Sequence, residues 1–169
     1  ADFRLVSSAN STVTANVIGV VENQAPTRHL QVTVRSGEVQ ADLSRDLAKV
    51  AHIERHRGTG GVQLGLVQGF GFREPCAVAT TVAHDSHHML VVGTDDESMA
   101  IAANHLAQTG GGQVVVRGKE VIGEVHLPIA GLVSDDHADV VAQKAETVLA
   151  GFRACGCSFC RKHVAEYTS

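Results

Sequence analysis

The densest group of polar side chains in the sequence is the segment His84, Asp85, Ser86, His87 and His88, which joins two apolar runs. Imidazole and carboxylate groups can bind a divalent metal or move protons near neutral pH, and loops at strand ends often carry function. The segment is therefore a candidate active-site-facing loop. Metal ligation is one alternative, and a plain turn whose Asp and Ser satisfy local backbone groups is another.

A second histidine pair, His52 and His56, lies on either side of Glu54 and Arg55 and directly precedes the glycine-rich residues 57–61. The two imidazoles would share a face in a helix or in a strand, so metal binding is one interpretation. Arginine and histidine at a strand end more often form salt bridges or contact a neighbouring domain. We therefore predict an interdomain contact through Arg55 and His56, followed by a tight glycine turn.

Three cysteines and a histidine lie close together near the end of the chain, at Cys155, Cys157, Cys160 and His163. Three thiolates and one imidazole can form a tetrahedral zinc site. The Cys-x-Cys spacing requires unusual backbone geometry around one ion, and the remaining cysteine, Cys76, is distant in the sequence. Free thiols in a reducing compartment are the competing interpretation.

Apolar patterning predicts the strands that position these groups. Alternation of apolar and polar residues indicates half-buried strands, and continuous runs of small and β-branched residues indicate strands covered on both faces. Two runs joined across Arg117-Gly118-Lys119 indicate a β-hairpin. These segments are, in the same order, residues 11–21, 30–35 and 62–66; residues 77–83 and 89–93; and residues 113–116 with 121–125.

Two helices are predicted beside these strands, at residues 94–109 and 134–152. Thr94, with Glu97 three residues later, has the pattern of a capping box, and Ser134 is expected to cap the second helix. The apolar side predicted for the second helix consists of Val140, Val141, Ala145, Val148, Leu149 and Phe152. The predicted fold class is α+β, with a mixed, strand-rich β-sheet covered by about two main helices.

Composition narrows the class of protein. The 169 residues are 44% hydrophobic and 19% charged, which predicts one compact domain. A formal net charge of -4 argues against a nucleic-acid partner. No apolar run approaches the roughly 18 to 20 residues that span a bilayer, so we expect a cytoplasmic protein without a membrane partner.

Several segments resemble the C-terminal domain of adenine deaminases, which belong to the amidohydrolase superfamily. They follow the family's order and spacing over about residues 1–157, which predicts a C-terminal-like domain at 1–153 and a divergent Cys-rich tail at 154–169. One departure is His88, where the family usually has asparagine. The matching segments are TTVAHDSH at 80–87, VVGTDD at 91–96, VIGV at 17–20, ERHRGTG at 54–60, GGG at 110–112 and LPIAGLVSD at 127–135.

The resemblance implies that the full enzyme converts adenine and water to hypoxanthine and ammonia, a step in purine salvage. Its divalent metal, iron, manganese or zinc, would sit in an amidohydrolase barrel marked by a His-x-His pair, a pattern that does not occur in this chain. The chain is therefore expected to be an accessory domain that packs on such a barrel, inactive alone and without a cofactor of its own. A homodimer contact, a stand-alone purine-binding module and a small zinc-binding module remain open alternatives.

Overall fold

The computed structural model describes residues 2–22 and 24–157. Its elements in chain order are β1 (Leu5–Gly19), β2 (Arg28–Val39), β3 (Leu47–Ile53), β4 (Val62–Gln68), β5 (Cys76–Thr80), β6 (Met89–Gly93), α1 (Asp96–Thr109), β7 (Gly112–Arg117), β8 (Glu120–His126) and α2 (Ala138–Ala154). The eight strands form one sheet in the order β2-β1-β4-β3-β6-β5-β7-β8. Only β1 and β4 are parallel neighbours in it, so the sheet is mixed and the predicted α+β class is confirmed.

The central strands are covered on both faces, as their continuous apolar runs predicted. Ala77 and Ala79 of β5 pack with Met99 of α1, whereas Val78 between them packs with Val148 of α2. Because neighbouring residues of a strand point to opposite faces, the two helices lie on opposite sides of the sheet. No helix in residues 2–22 and 24–157 is long and apolar enough to cross a membrane.

The first helix begins one residue later than a Thr94 cap would place it. Asp95 is the N-cap, and its carboxylate accepts the Ser98 backbone N–H at 2.7 Å. The Thr94 hydroxyl instead accepts the Cys76 backbone N–H at 2.9 Å, and Glu97 pairs with Lys119. The predicted capping box is therefore wrong. The Thr94 side chain bonds to the start of β5, and Asp95, an equally good N-cap residue, caps the helix instead.

The second helix begins at Ala138, four residues after the predicted cap. The Ser134 hydroxyl accepts the Asp136 backbone N–H at 3.2 Å and so stabilises a turn before the helix. His137 occupies the N-cap position, where its side chain makes no capping bond to the described residues. Val148 is buried as predicted, but Leu149 is 39% exposed because it lies at the margin of the apolar side.

The register of β3 against β6 defines two ends of the sheet. Lys49 pairs with Gly93 at one end, and Ile53 pairs with Met89 at the other. We call the first, which includes Lys49 and residues 93–96, the lysine end. The second is the histidine end, which comprises residues 52–56, 84–88, 110–112 and 127–135.

The fifth strand stops at Thr80, three residues before its predicted end. The Thr81 hydroxyl donates to the Gly131 carbonyl at 2.6 Å and accepts the Gly112 backbone N–H at 2.8 Å. This side chain is 1% exposed, and its buried hydroxyl is satisfied by bonds to the turn at Gly131 and to the first residue of β7, Gly112. Thr81 therefore joins three segments of the histidine end.

Candidate functional site: the histidine end of the sheet

The two histidine segments singled out in the sequence meet at the histidine end. The ring of His88 lies between those of His52 and His56, with centroid separations of 4.8 and 4.5 Å. His56 also donates from Nε2 to the Ser86 carbonyl at 2.7 Å, which fixes the 84–88 loop to the segment after β3. The predicted loop and the predicted contact residues therefore form one surface.

The outer part of the 84–88 loop points to solvent. The side chains of His84 and Asp85 are almost fully exposed, and His84 Nδ1 lies 3.2 Å from Asp85 Oδ1. The His84 and His87 rings are 5.1 Å apart, and His87 has a left-handed backbone with φ of 50°. The loop is held by His56 and His88 at its base, so it can present an imidazole and a carboxylate to another surface.

His88 is neutral in this arrangement. The Arg55 backbone N–H points at His88 Nδ1 at 3.3 Å, so that nitrogen is an acceptor and the ring proton sits on Nε2. Burial, followed by the neighbouring imidazoles of His56 and His52, lowers the pKa of His88, although Glu54 acts in the opposite direction. An uncharged ring can pack closely against two other imidazoles.

Glu54 shapes the glycine-rich turn at residues 57–61. Its carboxylate accepts backbone N–H groups of Arg57, Thr59 and His56, and the Thr59 hydroxyl as well. These bonds, the one from Arg57 first, lower the pKa of Glu54 to about 2 despite an opposing effect of burial. The predicted tight turn therefore depends on the ionised Glu54 side chain, which accepts hydrogen bonds from backbone N–H groups that have no carbonyl partner in the turn.

Arg55 joins the histidine segments to the turn at residues 129–133. Its guanidinium donates to the Ala130 carbonyl, and Gly131 packs directly against it. A Cβ on Gly131 would lie 2.1 Å from the guanidinium, and the Gly131 φ of +72° also disfavours other residues. The turn leaves Ile129 and Val133 53% and 55% exposed beside this contact.

A cavity of about 380 Å³ lies at the same end. Its walls combine apolar side chains with the polar groups of Glu54, Arg55 and Thr81. A depression of this volume with apolar walls and a few polar groups is within the size range of small-molecule sites. The lining residues are Ile53, Glu54, Arg55, Thr81, Met89, Leu106, Ala107, Gly110 and Gly111.

The cysteines occupy a different place, behind the start of β5. Cys76 and Cys155 are both fully buried and in contact, and Cys157 is buried beside them in the same apolar cluster. The Cys155 thiol, together with burial, raises the pKa of Cys76 well above its usual range. The distance in sequence concealed this contact, while Cys160 and His163 of the predicted zinc set lie outside the described residues.

A buried ion pair and a three-residue polar cluster had not been expected from the sequence. Lys49 is 1% exposed and pairs with Asp96 at 2.5 Å, although its place in an apolar strand gave no sign of a partner. His105, Glu124 and His126 converge between α1 and β8, and among residues 2–22 and 24–157 they form a group of three whose ligand atoms lie close enough together to hold a metal ion. The Glu-x-His spacing on a strand was the one available signal for the second group, since it places both side chains on one face.

Comparison with known proteins identifies the family. Residues 24–166 match the family described as adenine deaminase C-terminal domain. The chain belongs to this family. It is 51% identical over 158 residues to adenine deaminase 3 of Rhizobium meliloti, a match that covers 92% of this chain and 27% of that protein.

Other relatives give the same picture. The chain is 53% identical over 150 residues to an adenine deaminase of Roseobacter denitrificans, covering 88% of this chain and 25% of that protein. It is 48% identical over 158 residues to one of Moorella thermoacetica, covering 92% of this chain and 26% of the relative. This adenine deaminase C-terminal domain thus spans about a quarter of the length of the curated relatives it matches.

Proposed function

We propose that this chain is the accessory domain of an adenine deaminase and is inactive alone. In this proposal a metal-dependent amidohydrolase barrel converts adenine and water to hypoxanthine and ammonia, as part of cytoplasmic purine salvage. The observation that carries it is that nearly the whole chain matches about a quarter of the length of each of two proteins named adenine deaminase. The metal, iron, manganese or zinc, would belong to the barrel, which supplies the His-x-His ligands that this chain lacks.

The histidine end is the surface proposed to pack on the barrel. Four of the segments that carry the family resemblance meet there, including the 84–88 and 127–135 segments. Exposed residues on loops more often serve binding than packing, and Ile129 and Val133 add apolar area of the kind that interfaces cover. Arg55 and His56 hold the two parts of this surface together rather than extending into solvent.

The 84–88 loop is proposed to reach the mouth of the active site. Neutral His88, packed between two imidazoles, anchors the loop, while His84 and Asp85 are free to face the barrel. An imidazole and a carboxylate at that position can form hydrogen bonds to the polar edge of the purine. The loop is therefore a positioning element for substrate, and the barrel carries out the hydrolysis.

A chimeric enzyme tests this function. The segment of Rhizobium meliloti adenine deaminase 3 that matches this chain is replaced by the chain, and ammonia release from adenine is measured with iron, manganese and zinc supplied separately. We expect activity from the chimera and none from the isolated chain. Deamination by the isolated chain would overturn the accessory role, as would full activity of the barrel with no C-terminal domain attached.

A stand-alone purine-binding module is a second candidate, favoured by the 380 Å³ cavity beside Arg55. Calorimetric titration of the isolated chain with adenine and hypoxanthine distinguishes the two functions. Binding that is lost in Arg55→Ala would support a purine module. Absence of binding at millimolar base would leave the accessory role as the better explanation.

A further inference from the structure

A cluster of two imidazoles and one carboxylate joins α1 to the edge strand β8. His105 lies on the last half of α1, and Glu124 and His126 alternate with Val125 at the end of β8. Val125 faces the α2 side of the sheet, so Glu124 and His126 project toward the side that α1 covers. The fold thus brings ligand-type side chains from two elements to one place, and none of the three belongs to the 84–88 loop.

The ligand atoms of the cluster converge on one carboxylate oxygen. His105 Nε2 contacts Glu124 Oε2, His126 Nε2 lies 3.0 Å from the same oxygen, and all three ligand atoms are within 4.8 Å of one another. The His126 Nε2 atom is shielded from solvent, and its contact with Glu124 does not have hydrogen-bond geometry. A cation between the three ligand atoms would give this buried nitrogen a partner of favourable geometry.

The cluster combines an acidic side chain with two imidazoles and is open to solvent. The side chains of His105, Glu124 and His126 are 27%, 36% and 38% exposed, so an ion can enter from solvent.

We propose that His105, Glu124 and His126 bind one divalent transition-metal ion of the zinc type. Two imidazoles and a carboxylate form a recognised ligand set for zinc, with a fourth position left for water. Bonds of about 2.0–2.1 Å in a tetrahedron place ligand atoms roughly 3.4 Å apart, so small side-chain rotations suffice. The ion would fasten α1 to the sheet edge, and it is distinct from a barrel metal and from the Cys-rich tail.

Zinc titration of the metal-free 169-residue chain tests the site. After dialysis against a chelator, Zn²⁺ binding is measured by calorimetry, and the thermal midpoint is recorded with and without Zn²⁺. We expect one ion per chain and a higher midpoint with zinc, because a ligand that binds only the folded state stabilises it. Glu124→Gln and His126→Ala should each weaken zinc binding at least tenfold and reduce the rise of the thermal midpoint with zinc.

Two controls distinguish this site from other ligands in the chain. Cys160→Ser combined with His163→Ala removes part of the predicted tail set, and His84→Ala removes an exposed imidazole; both should bind zinc as the parent does. Glu124→Gln keeps the size of the side chain, and its metal-free midpoint reports whether it still folds. Equal zinc affinity in a folded Glu124→Gln chain, or loss of binding in the tail variant alone, would overturn the proposal.

Discussion

Lys49 and His52 lie on the same strand, β3, yet they belong to surroundings of opposite character. At the lysine end, Lys49 is 1% exposed and pairs with Asp96, while Asp95 caps α1 and Thr94 bonds to the start of β5. Lys49 is buried, the other three residues are half-buried, and all four bond within the domain itself. The lysine end is therefore built for stability.

At the histidine end the polar groups are only partly used within the domain. His88 packs between two imidazoles, but His84 and Asp85 remain exposed beside the apolar side chains of Ile129 and Val133. Both ends carry segments that resemble the same family. A segment that resembles the family can therefore serve the folding of this domain, as at the lysine end. It can also serve contact with another domain, as we propose for the 84–88 loop.

The largest expected effect is at the lysine end. Lys49→Ala should lower the free energy of unfolding by about 2–4 kcal/mol, because it deletes a fully buried side chain and leaves the partly exposed Asp96 carboxylate unpaired. Urea unfolding of the isolated chain measures it. The double change Lys49→Met with Asp96→Leu should recover much of the loss, whereas His84→Ala should stay within about 0.5 kcal/mol of the parent. Equal losses from Lys49→Ala and His84→Ala would remove the contrast.

A smaller loss is expected at the glycine that packs on Arg55. Gly131→Ala should cost about 1–3 kcal/mol, since its left-handed φ disfavours a Cβ and the Arg55 guanidinium would have to move to make room for one. Gly118→Ala is the matched control, because Gly118 also has a positive φ but faces open space. Thermal unfolding of both variants compares them. A loss no greater for Gly131 would mean that Arg55 moves aside freely.

If the histidine end packs on the barrel, a substitution there should lower the activity of the chimera without changing the stability of the isolated domain. Ile129→Asp should lower chimeric deaminase activity about tenfold, as expected for an apolar contact worth about 1.4 kcal/mol at an interface. Leu43→Asp changes a residue of 39% exposure near the lysine end and should leave activity unchanged. Both isolated chains should unfold at the parent midpoint. Equal loss of activity in the two variants would argue against docking through the histidine end.

The smallest effect concerns pH. The pKa of Glu54 is lowered from 4.5 to about 2 in the folded chain, so the unfolded chain binds more protons between these values. Its contribution to stability is therefore present above about pH 4.5 and is lost as the pH falls toward 2. Urea unfolding at several pH values should show a shallower acid decline in Glu54→Gln. Thr59→Val, which removes only the hydroxyl donor, should give an intermediate slope.

Local patterns in the sequence predicted many elements but not their ends. The runs at 89–93 and 113–125 predicted β6 and the β7–β8 hairpin within a residue or two, because a strand buried on both faces gives a short continuous apolar run and a turn separates the two runs of a hairpin. Thr94 and Asp95 are both good N-caps, and only the hydrogen bond from Thr94 to β5 decides between them. The 84–88 loop and Arg55 with His56 were predicted as site residues, and their role in docking remains a prediction.

By itself the sequence determined the α+β class, the paired strands and helices, and the family, because those follow from short-range periodicity and ordered motifs. The tertiary structure alone decided which distant side chains meet. Antiparallel pairing of β3 with β6 brings His52 beside His88, the return of the chain after α2 brings Cys155 onto Cys76, and packing of α1 on the sheet brings His105 to Glu124. Such contacts depend on register and helix placement, which no local pattern encodes.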